Sequence, residues 1–197
     1  NNDLTHQGLS GIKQAIVTDY WYGQKEAELR GNIYRPTSII LFAAIWEFFP
    51  GDAKAYHFIN ILIYGILCLV LFFTLAELFA AQTAIMAFVC TMLYAAHPVH
   101  TEVVNNIKSM DEMLCFLFGM LSLWSFLLFN RKEKLWLLIS GGVSLTLACA
   151  SKENGVTFLA LLPLCFYFFR NFSRSQWTKV VVTILMSGVV YFLLRAN

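Results

Sequence analysis

Tyr56-His57-Phe58-Ile59-Asn60, continuing as ILIYGILCLVLFFTLAELF to Phe79, is a run of 24 residues with one histidine, one asparagine and one acid. About twenty predominantly apolar residues suffice to cross the hydrocarbon core of a bilayer as a helix. Lipid offers no partner for backbone N–H and C=O groups, so such a run must satisfy them internally. Five further apolar runs follow, at 83–97, 112–129, 135–150, 155–170 and 178–195. Several are shorter than a full span, so their ends are expected to extend into polar flanks or to be covered by neighbours. The chain therefore reads as all-α, a polytopic transmembrane helix bundle of six helices over residues 56–197.

Composition agrees. Of the 197 residues, 58% are hydrophobic and 13% charged, about half the charged share of a soluble domain. A net charge of +2 without a basic block gives no reason to expect a nucleic-acid partner. Cys68, Cys90, Cys115, Cys149 and Cys165 all lie in apolar runs without CxxC spacing, so they read as small buried hydrophobes. The opening NNDLTHQG is neither an n-region nor an h-region, and its lack of Met reads as a fragment of a longer protein.

Residues 1–55 read as an extracytoplasmic loop. Gly8, Gly11, Gly23 and Gly31 interrupt any long helix, and Tyr20, Trp21 and Tyr22 suit the water–bilayer boundary. Pro36 fits a first helical turn, where its missing N–H costs nothing. The run it opens stops at Pro50-Gly51, too short to span, so 36–49 is expected to be an interfacial helix, with Glu47 in keeping. Orientation follows from the loops. Arg131, Lys132 and Lys134 face a single acid, and Arg170, Arg174 and Lys179 face none, which places both loops in the cytoplasm. Apart from a lone Glu77, that side carries topological charge only. Residues 1–55, 97–112 and 151–154 then share the extracytoplasmic face.

The chemistry concentrates in His97 to Glu112, HPVHTEVVNNIKSMDE. His97 and His100 share a helical face, Asn105 and Asn106 follow Glu102 by three and four, and Lys108 is spaced to pair with Asp111 or Glu112. Imidazole, carboxylate and amide together suit a hydroxyl or a phosphate-linked donor. His97, His100 and Glu102 as metal ligands depart from standard zinc spacing. A solvated loop with capping residues explains the same letters. Lys152, in Ser151-Lys152-Glu153-Asn154-Gly155, reads either as a point charge for a phosphate or as part of a turn capped by Ser151 or Asn154. His57 and Asn60 share a face that points to a cavity or makes an interhelical hydrogen bond. Arg35 offers a fork for phosphate or a headgroup anchor. HExxH, G-x-S-x-G and Walker A patterns are absent from these residues.

Taken in order, Asn2-Asp3-Leu4, Thr18-Asp19-Tyr20-Trp21, Tyr34-Arg35-Pro36-Thr37, Tyr56-His57-Phe58-Ile59-Asn60, His97-Pro98-Val99-His100-Thr101-Glu102, Asp111-Glu112-Met113-Leu114 and Ser151-Lys152-Glu153-Asn154-Gly155-Val156-Thr157 resemble one family. It is the transmembrane O-mannosyltransferases targeting cadherins and their bacterial relatives, glycosyltransferases of the GT-C type. The resemblance covers residues 2 to about 168, and the version at Asn106–Glu112 is nearer the bacterial branch. It implies a GT-C-like multi-pass protein of a bacterial inner membrane, or of the endoplasmic reticulum in a eukaryote. The partners it implies are a polyprenyl-phosphate-sugar donor, an acceptor protein and membrane lipid. The expected reaction moves a sugar, mannose by resemblance, to protein Ser/Thr hydroxyls on the extracytoplasmic side, with inversion. No cofactor is required, and a divalent metal is not indicated.

Motif position and residue chemistry together assign roles. Arg35, Lys152 and Lys108 are expected at the donor phosphate. His97, His100, Glu102, Asp111 and Glu112 support the chemistry, and Tyr34, His57, Asn60 and Glu153 position substrate. The resemblance implies that the general base is an acid upstream of Asn1, since Asp3 matches the segment after the family's acidic pair. A transporter or channel component, and a non-catalytic scaffold with tetratricopeptide repeats further along, are the competing classes. The first predicts polar chemistry open to both faces, and the second predicts no donor binding.

Overall fold

The computed structural model describes residues 3–18, 20, 33–79 and 84–196, and among these there is no strand. Asp19, Trp21 and Tyr22 of the expected aromatic boundary lie outside the described residues. Two short helices, α1 (Asp3–His6) and α2 (Ile12–Val17), are joined by a 3-10 turn at Gly8–Gly11. They rest on α3 (Pro36–Phe48), which begins with its proline in the first turn. Leu4, Ala15 and Ile39 make a small core there, and the His6 ring stacks on Trp46 at 4.2 Å. Glu47 accepts the Leu9 N–H at 3.1 Å, so its carboxylate ties the first segment to α3.

Helix α4 (Ala53–Leu78) starts at Asp52, whose carboxylate accepts the Lys54 N–H at 2.9 Å, the usual N-cap bond. Then come α5 (Ala84–Ala96), α6 (Val99–Asn105), a 3-10 turn at Ile107–Ser109, and α7 (Met110–Lys132). Helix α8 (Leu135–Ser151) leads through a second 3-10 turn, Glu153–Thr157, into α9 (Phe158–Phe169) and α10 (Arg174–Ala196). The six apolar runs are thus helical, but they do not make six spans by length. Helix α4, the segment Ile107–Lys132 and α10 are long and apolar enough to cross a membrane, and the α5–α6 pair, bent by 66°, makes a fourth if it is one broken span. Helix α8, with 17 residues, and the segment Glu153–Phe169 fall short. One face of the short α8 is enclosed by protein through Leu137, Leu145, Ala148 and Cys149, while Trp136, Ile139 and Val143 are exposed on the other.

Helix α7 is the axis of the bundle, and its Met110, Phe126 and Leu127 are completely buried. Hydroxyls bond neighbouring helices through backbone carbonyls: Ser122 donates to Gly141 at 2.8 Å and Ser187 to Gly142 at 3.0 Å. Near the bend after α8, a Cβ on Gly155 would lie 2.4 Å from the Ala148 carbonyl oxygen. Neither party is a flexible side chain. Gly155→Ala is expected to cost about 3 kcal/mol, read as a lowered unfolding temperature in detergent.

Polar groups gather at two opposite ends. At one, Glu77 closes α4 within 3.4 Å of Arg131 and 3.6 Å of Arg170, and Arg170 also donates to the Glu77 carbonyl. Gln176 bridges Glu133 at 2.6 Å and the Asn130 carbonyl at 3.1 Å. Glu77 is therefore not alone, and two of the arginines read as topological charge compensate it. The other end gathers the starts of α3, α4 and α7 and the segment after α8.

A candidate active site at one end of the bundle

Arg35 precedes Pro36, which starts α3 and points the arginine toward the ends of α7 and α8. Its Nε donates to the two Glu153 oxygens at 3.0 and 3.2 Å, its Nη2 to Glu153 at 2.7 Å, and its Nη1 to Asp111 at 2.5 Å. These residues are 118 and 76 positions away in sequence. The Asp111 side chain is 8% exposed and that of Arg35 16%, so water screens this contact little. The Tyr20 ring lies 5.9 Å from the guanidinium carbon. Ser38 fastens the same region by donating to the Ser151 carbonyl at 3.0 Å. The fork expected to be open for phosphate is thus occupied by two carboxylates.

Lys152, next to Glu153, pairs instead with Glu112. This partner is 45% exposed, so the contact is solvated on one side. Neither Ser151 nor Asn154 caps the next helix. The Ser151 hydroxyl turns back to the Leu147 carbonyl at 2.7 Å, and the Asn154 carbonyl accepts Thr157 Oγ1 at 2.7 Å. Lys108 does not pair with Asp111 or Glu112, which face Arg35 and Lys152. Its 3-10 turn lies outside α7, so helical spacing does not bring it onto their face. The cluster pairs Arg35 and Lys152 with Asp111, Glu112 and Glu153, and the charge of Arg195 also acts on Glu153.

Burial raises the Glu153 carboxyl, but the Arg35 hydrogen bond, a backbone hydrogen bond and the charges of Arg35 and Arg195 outweigh it and leave it below the ordinary glutamate value. A depressed carboxylate lends stability above the unfolded-chain value, near pH 4.3, and loses it as pH falls through the lower folded value. The Glu153 contribution is therefore expected to be lost from about pH 5 downward. Asp111, whose carboxyl burial raises, contributes the opposite slope, so Glu153→Gln should lose less unfolding temperature on acidification than the wild type. An unchanged slope in the variant would remove Glu153 from this role.

Where α6 ends, Asn60 is fully buried and donates to the carbonyls of Val104 at 3.1 Å and Asn106 at 3.3 Å. It braces the loop and lies behind the surface. Outside it is an open cleft of about 540 Å³, lined by His57, Thr101, Glu102, Asn105, Asn106 and Ile107. His97 and His100 stand at the other end of α6, at its break from α5, their ring centroids 5.8 Å apart. Among the described residues no three His, Cys, Asp or Glu side chains are placed to hold a metal, so His97, His100 and Glu102 do not assemble as a ligand set. Tyr34 is buried, with its hydroxyl donating to the Ile16 carbonyl at 2.8 Å, which makes it a packing residue. Sequence reasoning missed the Tyr20 contact with Arg35, since Tyr20 carries the same letters as any boundary aromatic.

The fold and this cluster define a polytopic helical membrane protein with a charged site at one end. A family model described as Dolichyl-phosphate-mannose-protein mannosyltransferase matches residues 36–196, and the chain belongs to that family. It is 26% identical over 195 residues to Protein O-mannosyl-transferase F38B6.6 of Caenorhabditis elegans, covering 95% of this chain and 26% of the relative. It is 25% identical over 156 residues to Protein O-mannosyl-transferase TMTC3 of Homo sapiens, covering 76% of this chain and 16% of the relative. To Protein O-mannosyl-transferase TMTC1 of Homo sapiens it is 32% identical over 123 residues, covering 61% and 13%. The chain thus spans about a quarter or less of the length of these relatives. No solved structure matches it significantly.

Proposed function

We propose that the chain forms the donor-handling wall of a membrane glycosyltransferase. The enzyme would move mannose from a polyprenyl-phosphate carrier to protein Ser/Thr hydroxyls at the extracytoplasmic face. The supporting observation is the convergence of Arg35, Asp111, Glu112, Lys152 and Glu153 from three distant segments, at the end that also carries the cleft of His57 and Glu102. The surplus of lysine and arginine in the loops at the opposite end supports the sidedness.

Within the cluster, Lys152 is the cation assigned to the donor phosphate, with Lys108 beside the cleft as a second. Arg35 makes bonds to two carboxylates that a phosphate would have to displace. Lys152 makes one hydrogen bond, to Glu112, and although the lysine side chain is 17% exposed, that carboxylate is 45% exposed and can be rehydrated when the ammonium turns away. The ammonium then meets the negative charge that develops on the leaving phosphate. The reading leaves Glu153 out of proton abstraction, because a carboxylate stabilised by a guanidinium is a weakened base. Glu102, His97 and His100 are assigned to the hydroxyl-bearing side of the site. The test is transfer from a polyprenyl-phosphate mannose to a serine/threonine peptide, using the full protein in membranes. Full turnover in Lys152→Ala would sink the phosphate assignment.

A further inference from the structure

The His97-Pro98-Val99-His100 segment fixes the two rings in opposite hydrogen-bonding states. In a continuous helix the amide of residue 98 would donate to the Tyr94 carbonyl, but proline has no N–H to give. The orphaned carbonyl instead accepts His100 Nδ1 at 2.7 Å and the His97 N–H at 3.2 Å, while the Tyr64 hydroxyl donates to the next carbonyl, Ala95, at 3.0 Å. A carbonyl only accepts, so the His100 proton sits on Nδ1, and the neutral ring keeps its lone pair on Nε2. The Tyr94 ring, tilted by 40° with its centroid 4.1 Å away, packs against that ring.

His97 is the reverse case. The Val99 amide, at the start of α6 where no helical acceptor exists, donates to His97 Nδ1 at 3.3 Å. An amide only donates, so Nδ1 carries the lone pair and the neutral ring is protonated at Nε2. A hydroxyl oxygen taking two hydrogen bonds of ordinary length separates its nitrogen partners by about 4.6 Å. The two ring centroids are 5.8 Å apart with their planes at 61°, close enough for one small molecule to touch both rings.

We propose that His97 and His100 form a hydroxyl-binding pair of opposite polarity, His97 donating from Nε2–H and His100 accepting at Nε2. The pair suits an alcohol, which both gives and takes a hydrogen bond. An ammonium ligand finds one acceptor and one repelling donor there, and a metal finds one nitrogen already protonated. The source of the hydroxyl, acceptor Ser/Thr or sugar, rests on the transferase reading above; the tautomers do not.

The experiment is 15N NMR of histidine-labelled full protein in lipid nanodiscs at alkaline pH, with His97→Gln and His100→Asn assigning the signals. One ring protonated at Nε2 and lost in His97→Gln, and one protonated at Nδ1 and lost in His100→Asn, is the expected result. The same tautomer in both rings, or the reverse assignment, overturns the proposal. A serine/threonine peptide and methyl mannoside are then added separately. The probe that shifts both Nε2 signals identifies the hydroxyl, and no shift with either overturns the pair. In the transfer assay, His100→Asn retains a donor for the Tyr94 carbonyl but lacks the outer acceptor. KM for the hydroxyl-bearing substrate should rise about tenfold, the worth of one hydrogen bond, with the unfolding temperature unchanged. An unchanged KM counts against the pair. A wild-type protein that transfers nothing contradicts the transferase reading and leaves the NMR result standing.

Discussion

Arg35→Ala is expected to destabilise the protein by about 3 kcal/mol, because it takes from Asp111 and Glu153 the guanidinium that bonds both and leaves them only the charges of Lys152 and Arg195. Asp111 is the costlier of the two, since its side chain is 8% exposed against 31% for Glu153. Glu153 recovers part of its hydration, which keeps the expected figure at the lower end for a broken buried pair. Arg35→Lys should rescue little. The guanidinium directs Nη1 to Asp111 while Nε and Nη2 hold Glu153, and a single ammonium cannot keep that geometry. A cycle with Arg35→Ala and Asp111→Ala should show a coupling above about 1 kcal/mol, as contacting buried charges do. Unfolding followed in detergent by temperature or denaturant checks this. Independent, additive effects would mean that the ion network is a crowding of side chains without energetic consequence.

Lys152→Ala is expected to lower mannose transfer about 100-fold while leaving stability within about 1 kcal/mol. The two effects separate because the partner Glu112 is nearly half exposed and can be rehydrated when its lysine is removed. The charge on a leaving phosphate has no such alternative in a site partly closed to water. Glu112→Gln removes the competitor and keeps the cation, so its effect on transfer should be smaller than that of Lys152→Ala. A loss of fold in parallel with transfer would instead make Lys152 a structural tie.

The helical class and most helix positions follow from apolar runs alone, since lipid leaves no other way to satisfy a backbone. Length alone marks three spans, or four with the bent α5–α6 pair, and α8 falls short of that length with one face buried and Trp136, Ile139 and Val143 exposed on the other. Residue types put Lys152, Glu153, Asp111 and Arg35 on one face, and the structure brings them together at one end of the bundle. Their pairing was not legible, because Arg35 and Glu153 meet across 118 positions with no local rule to connect them. Local spacing misled at Lys108, where three and four residues to Asp111 and Glu112 meant a shared face only if one helix ran through both. The 3-10 turn at Ile107–Ser109 intervenes. Tyr34 looked like a site residue for its place in the motif, yet its hydroxyl is spent on the Ile16 carbonyl.

The central claim is that the lipid-linked donor is handled at the end of the bundle that holds Lys152. A photoactivatable polyprenyl-phosphate probe, cross-linked to the protein in membranes and mapped by peptide mass, tests it most directly. Cross-links to the segments around Lys108 and Lys152, lost in Lys152→Ala, are the predicted result. Cross-links concentrated at Glu77, Arg131 and Arg170, indifferent to Lys152, would contradict it.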